Sequence, residues 1–171
     1  MSSLKLGRLC GVIAIALVGL AGCQVRPLYA PTSVEAGPQA DLPAIAIEAP
    51  IGRVEQVYRN DLIFALRGGS DLTEARYRLV FRMTVNEQGI AVERGTGTPN
   101  AYQLTGGVSF LVKDSATGES IFGANVTSTD SYTRSSQNFA NTRARIDAEN
   151  RLAKTLAGLT QARLAAYFAT H

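Results

Sequence analysis

The stretch RYRLVFRMTVN, Arg76 to Asn86, restricts the possible folds more than any other part of this chain. Tyr77, Leu79, Phe81, Met83 and Val85 alternate with Arg76, Arg78, Arg82, Thr84 and Asn86. Successive side chains of a strand point to opposite faces, so the apolar set shares one face and the polar set the other. A sheet built on such a strand has one face to cover and one that can stay in water.

The remaining segments supply a sheet and its cover. AIAIEA, Ala44 to Ala49, is a short apolar run bounded by Pro43 and Pro50, which predicts a strand. In RVEQVYRNDLIFALRGG, residues Val54, Val57, Tyr58, Leu62, Ala65 and Leu66 recur at spacings of three and four before Gly68 and Gly69. That is an amphipathic helix with a glycine stop. NEQG at 86–89 predicts a turn, with IAVERG returning as a hairpin partner. AYQLTGGVSFLVKD alternates again through Tyr102, Leu104, Val108, Phe110 and Val112, SATGE predicts another turn, and SIFGANVTSTDSYTR a long, increasingly polar strand. Asn138 to about Phe168 reads as a final helix with an apolar stripe of Ile146, Leu152, Ala153, Leu156, Leu159, Leu164 and Phe168, interrupted by Gly158 as a bend or close contact. The order is β-α-β-β-β-α, and the predicted fold is α+β: a two-layer sandwich of a four-stranded, mostly antiparallel sheet against two amphipathic helices. The pairing direction of the first strand is open.

The start of the chain has a different grammar. Lys5 and Arg8 precede an apolar run of 11 residues, Cys10 to Leu20, followed by the small residues Ala21 and Gly22 and then Cys23. The run is well short of the roughly 20 residues that span a bilayer as a helix. Its arrangement is that of an export signal. Leu20, Ala21, Gly22 and Cys23 look like the lipobox of bacterial lipoproteins, in which the cysteine receives a diacylglycerol, the leader is cut and the freed amine is acylated. A mid-chain Cys23 would otherwise be a small buried hydrophobe. The expected organisation is a cleaved signal at 1–22, a lipidated Cys23 with a Pro-rich tether at 23–43, and one domain at 44–171. Acyl chains hold a protein to a membrane surface without spanning it. Gln24 follows the cysteine, whereas an Asp there retains enteric-type lipoproteins at the inner membrane, so the outer membrane is expected. Loss of the leader removes Lys5 and Arg8 from 17 basic residues, leaving 15 against 14 acidic ones. Such a balance gives no reason to expect a nucleic-acid partner.

Catalytic chemistry finds little material. The single histidine, His171, is the last residue, and acylated Cys23 leaves the mature chain without a thiol. Neither a Ser-His-Asp triad nor a His/Cys zinc site can be assembled, so no enzyme, metal or cofactor is expected beyond the covalent lipid. LRGGS and RGTGTPN lack the Lys-Ser/Thr ending of a phosphate-binding loop. Asp147 and Glu149 stand two apart on a helix and point different ways. The arginine face remains. Arg76, Arg78 and Arg82 share it, hairpin parity would add Glu93, and Arg94 and Lys113 lie on neighbouring strands. It reads either as a solvated face whose charges discourage edge-to-edge pairing or as a strip that binds phosphorylated lipid or another anionic surface.

Three segments resemble the lipopolysaccharide-assembly lipoprotein family LptE. GCQVRPLYAP looks like the family's GCGF-P-L-Y start, with Gln24 for the common Gly and Val25 for an aromatic; YRNDLIFAL resembles its first-helix RN-L---L signature; and the segment from Asn138 resembles the long last helix of alphaproteobacterial members. The resemblance implies a non-catalytic outer-membrane lipoprotein on the periplasmic side, seated within the lumen of the β-barrel LptD as plug and assembly partner, that binds lipopolysaccharide. It maps no binding residue onto this chain. Arg76, Arg78, Arg82, Arg94 and Lys113 are candidates from the face reading alone. The alternative is a stand-alone lipid-anchored envelope protein with a structural or tethering role.

Overall fold

The computed structural model describes residues 41–72, 74–92 and 99–171. The expected signal at 1–22, Cys23 and nearly all of the expected tether lie outside these, as do Glu93 and Arg94. A 3-10 turn at Leu42–Ala44 leads into β1 (Ile45–Ile47), followed by α1 (Arg53–Arg67), β2 (Tyr77–Val92), β3 (Pro99–Asp114), β4 (Ser120–Thr133) and α2 (Asn138–Phe168). The sheet order is β1-β2-β3-β4, with β1 parallel to β2 and the other pairs antiparallel. The expected β-α-β-β-β-α sandwich is therefore the observed one.

Both helices cover the face that carries Tyr77, Leu79, Phe81, Met83 and Val85. Glu55 caps α1 by accepting hydrogen bonds from the N–H groups of Ile51 and Gly52, at 2.7 and 3.2 Å. Gly68 ends it in the left-handed region, φ 62°, where its N–H reaches the carbonyl of Phe64 at 2.7 Å. Arg53 pairs with Glu149 near one end of the helix pair, and Gln161 Nε2 donates to the carbonyl of Ala65 at 2.7 Å near the other. The two helices therefore run side by side in the same direction. Between them and the sheet lie Tyr58, Leu62 and Leu66 of α1, Leu152, Leu156, Leu164 and Phe168 of α2, and Leu79, Leu104, Val108, Phe110 and Val112 of the strands. A Cβ on Gly106 would sit 2.9 Å from the side chains of Leu152 and Leu156, so the missing side chain lets α2 press onto β3.

Towards the far end of β2 the helix-side contacts become polar. Tyr132 donates to Glu87, Arg145 bridges Glu87 and Glu149 at 3.0 and 3.3 Å, and Arg151 holds Asp130 at 2.8 Å as well as Asp147. Asp147 and Glu149 thus serve different partners, as their spacing predicts. Burial, with Glu87 adding to it, pushes the Tyr132 hydroxyl up to about 12, while the Arg151 guanidinium lowers Asp130.

Three local expectations are corrected. NEQG does not turn: β2 runs through it, pairing Asn86 with Thr105 and Gln88 with Gln103, and the register slips only between Gly89 and Val92. A partner strand of 16 residues outweighs a local turn preference, and Gly89, pressed to where a Cβ would meet Pro99 at 2.9 Å, marks a bulge instead. The hairpin that would have returned Glu93 beside the arginines is not formed there. In α2, Leu159 is 40% exposed, and Ala157 and Thr160 take its place in the buried stripe. Gly158 is neither bend nor contact, since the helix continues through it and a Cβ would meet nothing within 4 Å.

Candidate functional site

The second face of the sheet carries no helix. Its composition follows from the register, which aligns outward positions of β2, β3 and β4 into rows two residues, or about 6.6 Å, apart. Arg78 stands opposite Lys113; next come Val80, Leu111 and Gly123, then Arg82, Ser109 and Asn125. Three further rows follow: Thr84, Gly107 and Thr127; Asn86, Thr105 and Thr129; Gln88, Gln103 and Ser131. Within these six rows, charge is confined to one end.

At that end Arg78 and Lys113 are direct cross-strand neighbours, an arrangement that repels unless something neutralises it. Among the described residues no carboxylate lies within ion-pair distance of Arg78, Arg82 or Lys113. Glu48, just past β1, borders the same area, where an open depression of about 670 Å³ is lined by Val80, Arg82, Ser109, Leu111 and Asn125. Its floor has an apolar component. Leu111 lies over Gly123, where a Cβ would stand 2.7 Å from the leucine Cδ2, and stays 46% exposed. A cationic rim beside an apolar, uncovered floor suits an acidic amphiphile better than it suits water alone.

The structure brings together three of the five basic candidates. Arg78, Arg82 and Lys113 share the face. Arg76 turns away to Asp41, 2.8 Å from Nη1, with its Cζ 5.3 Å from the centre of the Tyr77 ring; that ring's hydroxyl also donates to Asp41 at 3.2 Å. Burial and the Asp41 carboxylate together raise Tyr77. Arg94 is outside the described residues. Of the neutral rows the sequence places only Thr84 and Asn86 on this face; the apolar floor and the other positions escape it. Their signal was present in the odd positions of β3 and β4, but which of them face Arg82 depends on a register that only the folded sheet defines. Among the described residues no group of three or more His, Cys, Asp or Glu side chains is placed to hold a metal ion, and no helix is long and apolar enough to cross a membrane.

Comparison with known proteins agrees with this architecture. The model of a family described as LptE, lipopolysaccharide-assembly, matches residues 39–164. A lipoprotein structure from Caulobacter crescentus superposes with a TM-score of 0.65 at 27% identity, over 78% of this chain and 97% of that one. A minor lipoprotein from Acinetobacter baumannii gives 0.54 at 19% identity over 72% and 90% of the two chains. The rare lipoprotein B of Shewanella oneidensis gives 0.51 at 14% identity over 74% and 92%. The latter two share the fold. No curated protein sequence matches the chain.

Proposed function

We propose, from the premise that this chain belongs to the LptE family of lipopolysaccharide-assembly proteins, that it is an outer-membrane lipoprotein which binds lipopolysaccharide at the cationic end of its bare sheet face. The family is non-catalytic, so the function rests on surfaces. In this reading Cys23 carries the lipid after removal of residues 1–22, residues 23–43 are the tether, and the domain partners an LptD-like β-barrel from the periplasmic side, within its lumen, as plug and assembly factor. The lipobox before Cys23 and the likeness to lipoproteins of the same fold support the anchor.

The observation that carries the binding role is the opposition of Arg78 and Lys113 with Arg82 two rows away. Two cations held face to face weaken a sheet. A phosphate between them accepts hydrogen bonds from both and removes the repulsion, and the guanidinium fork of Arg82 can take a second acidic group. Arg76, already neutralised by Asp41, contributes less.

Replacing Arg78, Arg82 and Lys113 together by Ala is expected to weaken lipopolysaccharide binding tenfold or more, because charge-assisted hydrogen bonds are worth about 1.5–3 kcal/mol each. The thermal midpoint should stay nearly unchanged. Unaltered binding would return these residues to the role of a solvated face. Affinity purification of the acylated protein from its own outer membrane tests the partner: a large β-barrel should accompany it. Recovery without one favours the stand-alone tethering role.

A further inference from the structure

The three rows beyond Arg82 hold nine positions, Thr84, Gly107, Thr127, Asn86, Thr105, Thr129, Gln88, Gln103 and Ser131, without a charge or an apolar side chain among them. A sheet face that merely meets water usually carries interspersed Lys, Glu and Arg, which keep it soluble and keep its edges apart. The core of a protein interface is anchored by Tyr, Trp, Phe, Met or Arg. This region has neither signature. Its amides and hydroxyls each both donate and accept hydrogen bonds. Among the described residues, no hydrogen bond between protein groups engages any of the eight side chains; the networks of Glu87, Asp130 and Arg151 all lie on the helix-covered side. Gly107 leaves a notch between Thr84 and Thr127, whose side chains would stand 3.4 and 3.9 Å from an added Cβ.

We infer that these neutral rows are a saccharide-binding floor, and that the glycan of the acidic glycolipid held at Arg78, Arg82 and Lys113 lies along them. The inference rests on the lipopolysaccharide-binding reading and adds an orientation to it. A sugar chain presents hydroxyls that are donors and acceptors in equal measure, and the mixed amide and hydroxyl rows match that pattern where lysines or carboxylates would not. The charge distribution fixes the direction. Acidic groups sit at the Arg78 end, and the uncharged sugars run towards Gln88, away from the edge strand β1. Asn86 and Gln103, in neighbouring rows of adjacent strands, each present an amide with two donors.

The test uses the full acylated chain in detergent and two probes: lipopolysaccharide bearing its core oligosaccharide, and the lipid A released from it by mild acid. The wild-type chain should bind the first about tenfold more tightly than the second. Asn86→Ala with Gln103→Ala should bring lipopolysaccharide down to the lipid A level and leave lipid A binding unchanged, whereas Arg78→Ala with Lys113→Ala should weaken both probes alike. Thr127→Ala with Thr129→Ala, on the other strand, repeats the measurement should the first pair lower the thermal midpoint. Equal wild-type binding of the two probes, or a ratio untouched by both pairs, overturns the saccharide floor while leaving lipid binding in place. Binding of neither probe overturns the reading beneath it. If the pairs release a co-purifying β-barrel while the probe ratio holds, the face belongs to a protein partner and the inference fails.

Discussion

Gly106 and Gly107 are neighbours on β3 and look out on two different environments. Above Gly106 are the side chains of Leu152 and Leu156, so close that an added Cβ would overlap them; beyond Gly107 are only the ordinary contacts of Thr84 and Thr127. The same three long strands therefore build the core with one face and present the candidate site with the other. On the covered face the apolar residues pack into the core beneath the helices, and a change is felt as lost stability. On the bare face the side chains answer to whatever binds there, and a change should be felt as lost affinity.

Paired leucines give the strongest test of that division. Leu152, buried against Gly106, should lose about 2–5 kcal/mol on replacement by Ala, the usual cost of a cavity in a packed core. Leu111→Ala, at a side chain 46% exposed, should cost less than about 1 kcal/mol. The glycines sharpen the contrast. Gly106→Ala should destabilise by about 1–3 kcal/mol through overpacking, and Gly107→Ala should remain within about 0.5 kcal/mol of wild type. Urea midpoints at unchanged m-value measure all four. Similar losses at Gly106 and Gly107 would show that the bare face is packed after all.

The covered face also predicts an alkaline limit. Tyr58, on the buried side of α1, donates to Thr160 Oγ1 of α2 at 3.0 Å, while Thr160 donates onward to the carbonyl of Leu156 at 2.9 Å. Burial pushes the tyrosine hydroxyl up to about 12, from an ordinary value of about 10. Below the ordinary value folded and unfolded chains are both protonated, and the contribution to stability is fully present. As pH rises from there towards the folded value, the unfolded chain ionises first, and stability is lost progressively. Tyr58→Phe should cost about 1 kcal/mol at neutral pH, since Thr160 keeps its other partner. It should also make the alkaline decline shallower, read from urea unfolding at a series of pH values; an unchanged slope would place the alkaline loss elsewhere, with Tyr132 the next candidate.

Away from both faces of the sheet, on the solvent side of α2, Gly158 should behave as a simple helix position. With open space where its Cβ would be, Gly158→Ala is expected to raise stability by about 0.5–1 kcal/mol. A loss would mean that the outer surface of α2 is packed against something in the molecule as purified.

Much of the covered face was legible because it follows from local period. The alternation from Tyr77 to Val85 marks the buried side of β2, and Gly68 marks the end of α1. Thr160 was not legible as a core residue, because its burial depends on a tyrosine 102 positions away that supplies its hydrogen bond. The bare face was harder still. Arg78 and Arg82 could be placed on one side by parity, but the opposition of Arg78 to Lys113 depends on where β2 turns back. A turn at NEQG would have paired the arginines with residues just past it; the longer strand pairs them with Lys113 and Ser109 instead. Binding sites made across strands inherit this non-local dependence. Pairings of Asp41 with Arg76 and of Glu149 with Arg53 are hidden for the same reason.

The smallest effect is the most discriminating. If Arg78 and Lys113 repel in the unliganded protein, Lys113→Thr should stabilise the fold by a few tenths of a kcal/mol and at most about 1 kcal/mol, the range for a like-charge cross-strand pair. The gain should shrink as salt is added, because exposed charges are screened over about 10 Å at 0.1 M ionic strength. The same substitution should weaken lipopolysaccharide binding, so stability and affinity move in opposite directions. No core substitution on the covered face can do that. A neutral or destabilising Lys113→Thr would mean that Glu48, on the same face beside Val80, already offsets the repulsion. Glu48→Gln should then lower stability in the wild-type background and leave it unchanged once Lys113 is Thr, a coupling that a double-mutant cycle measures directly.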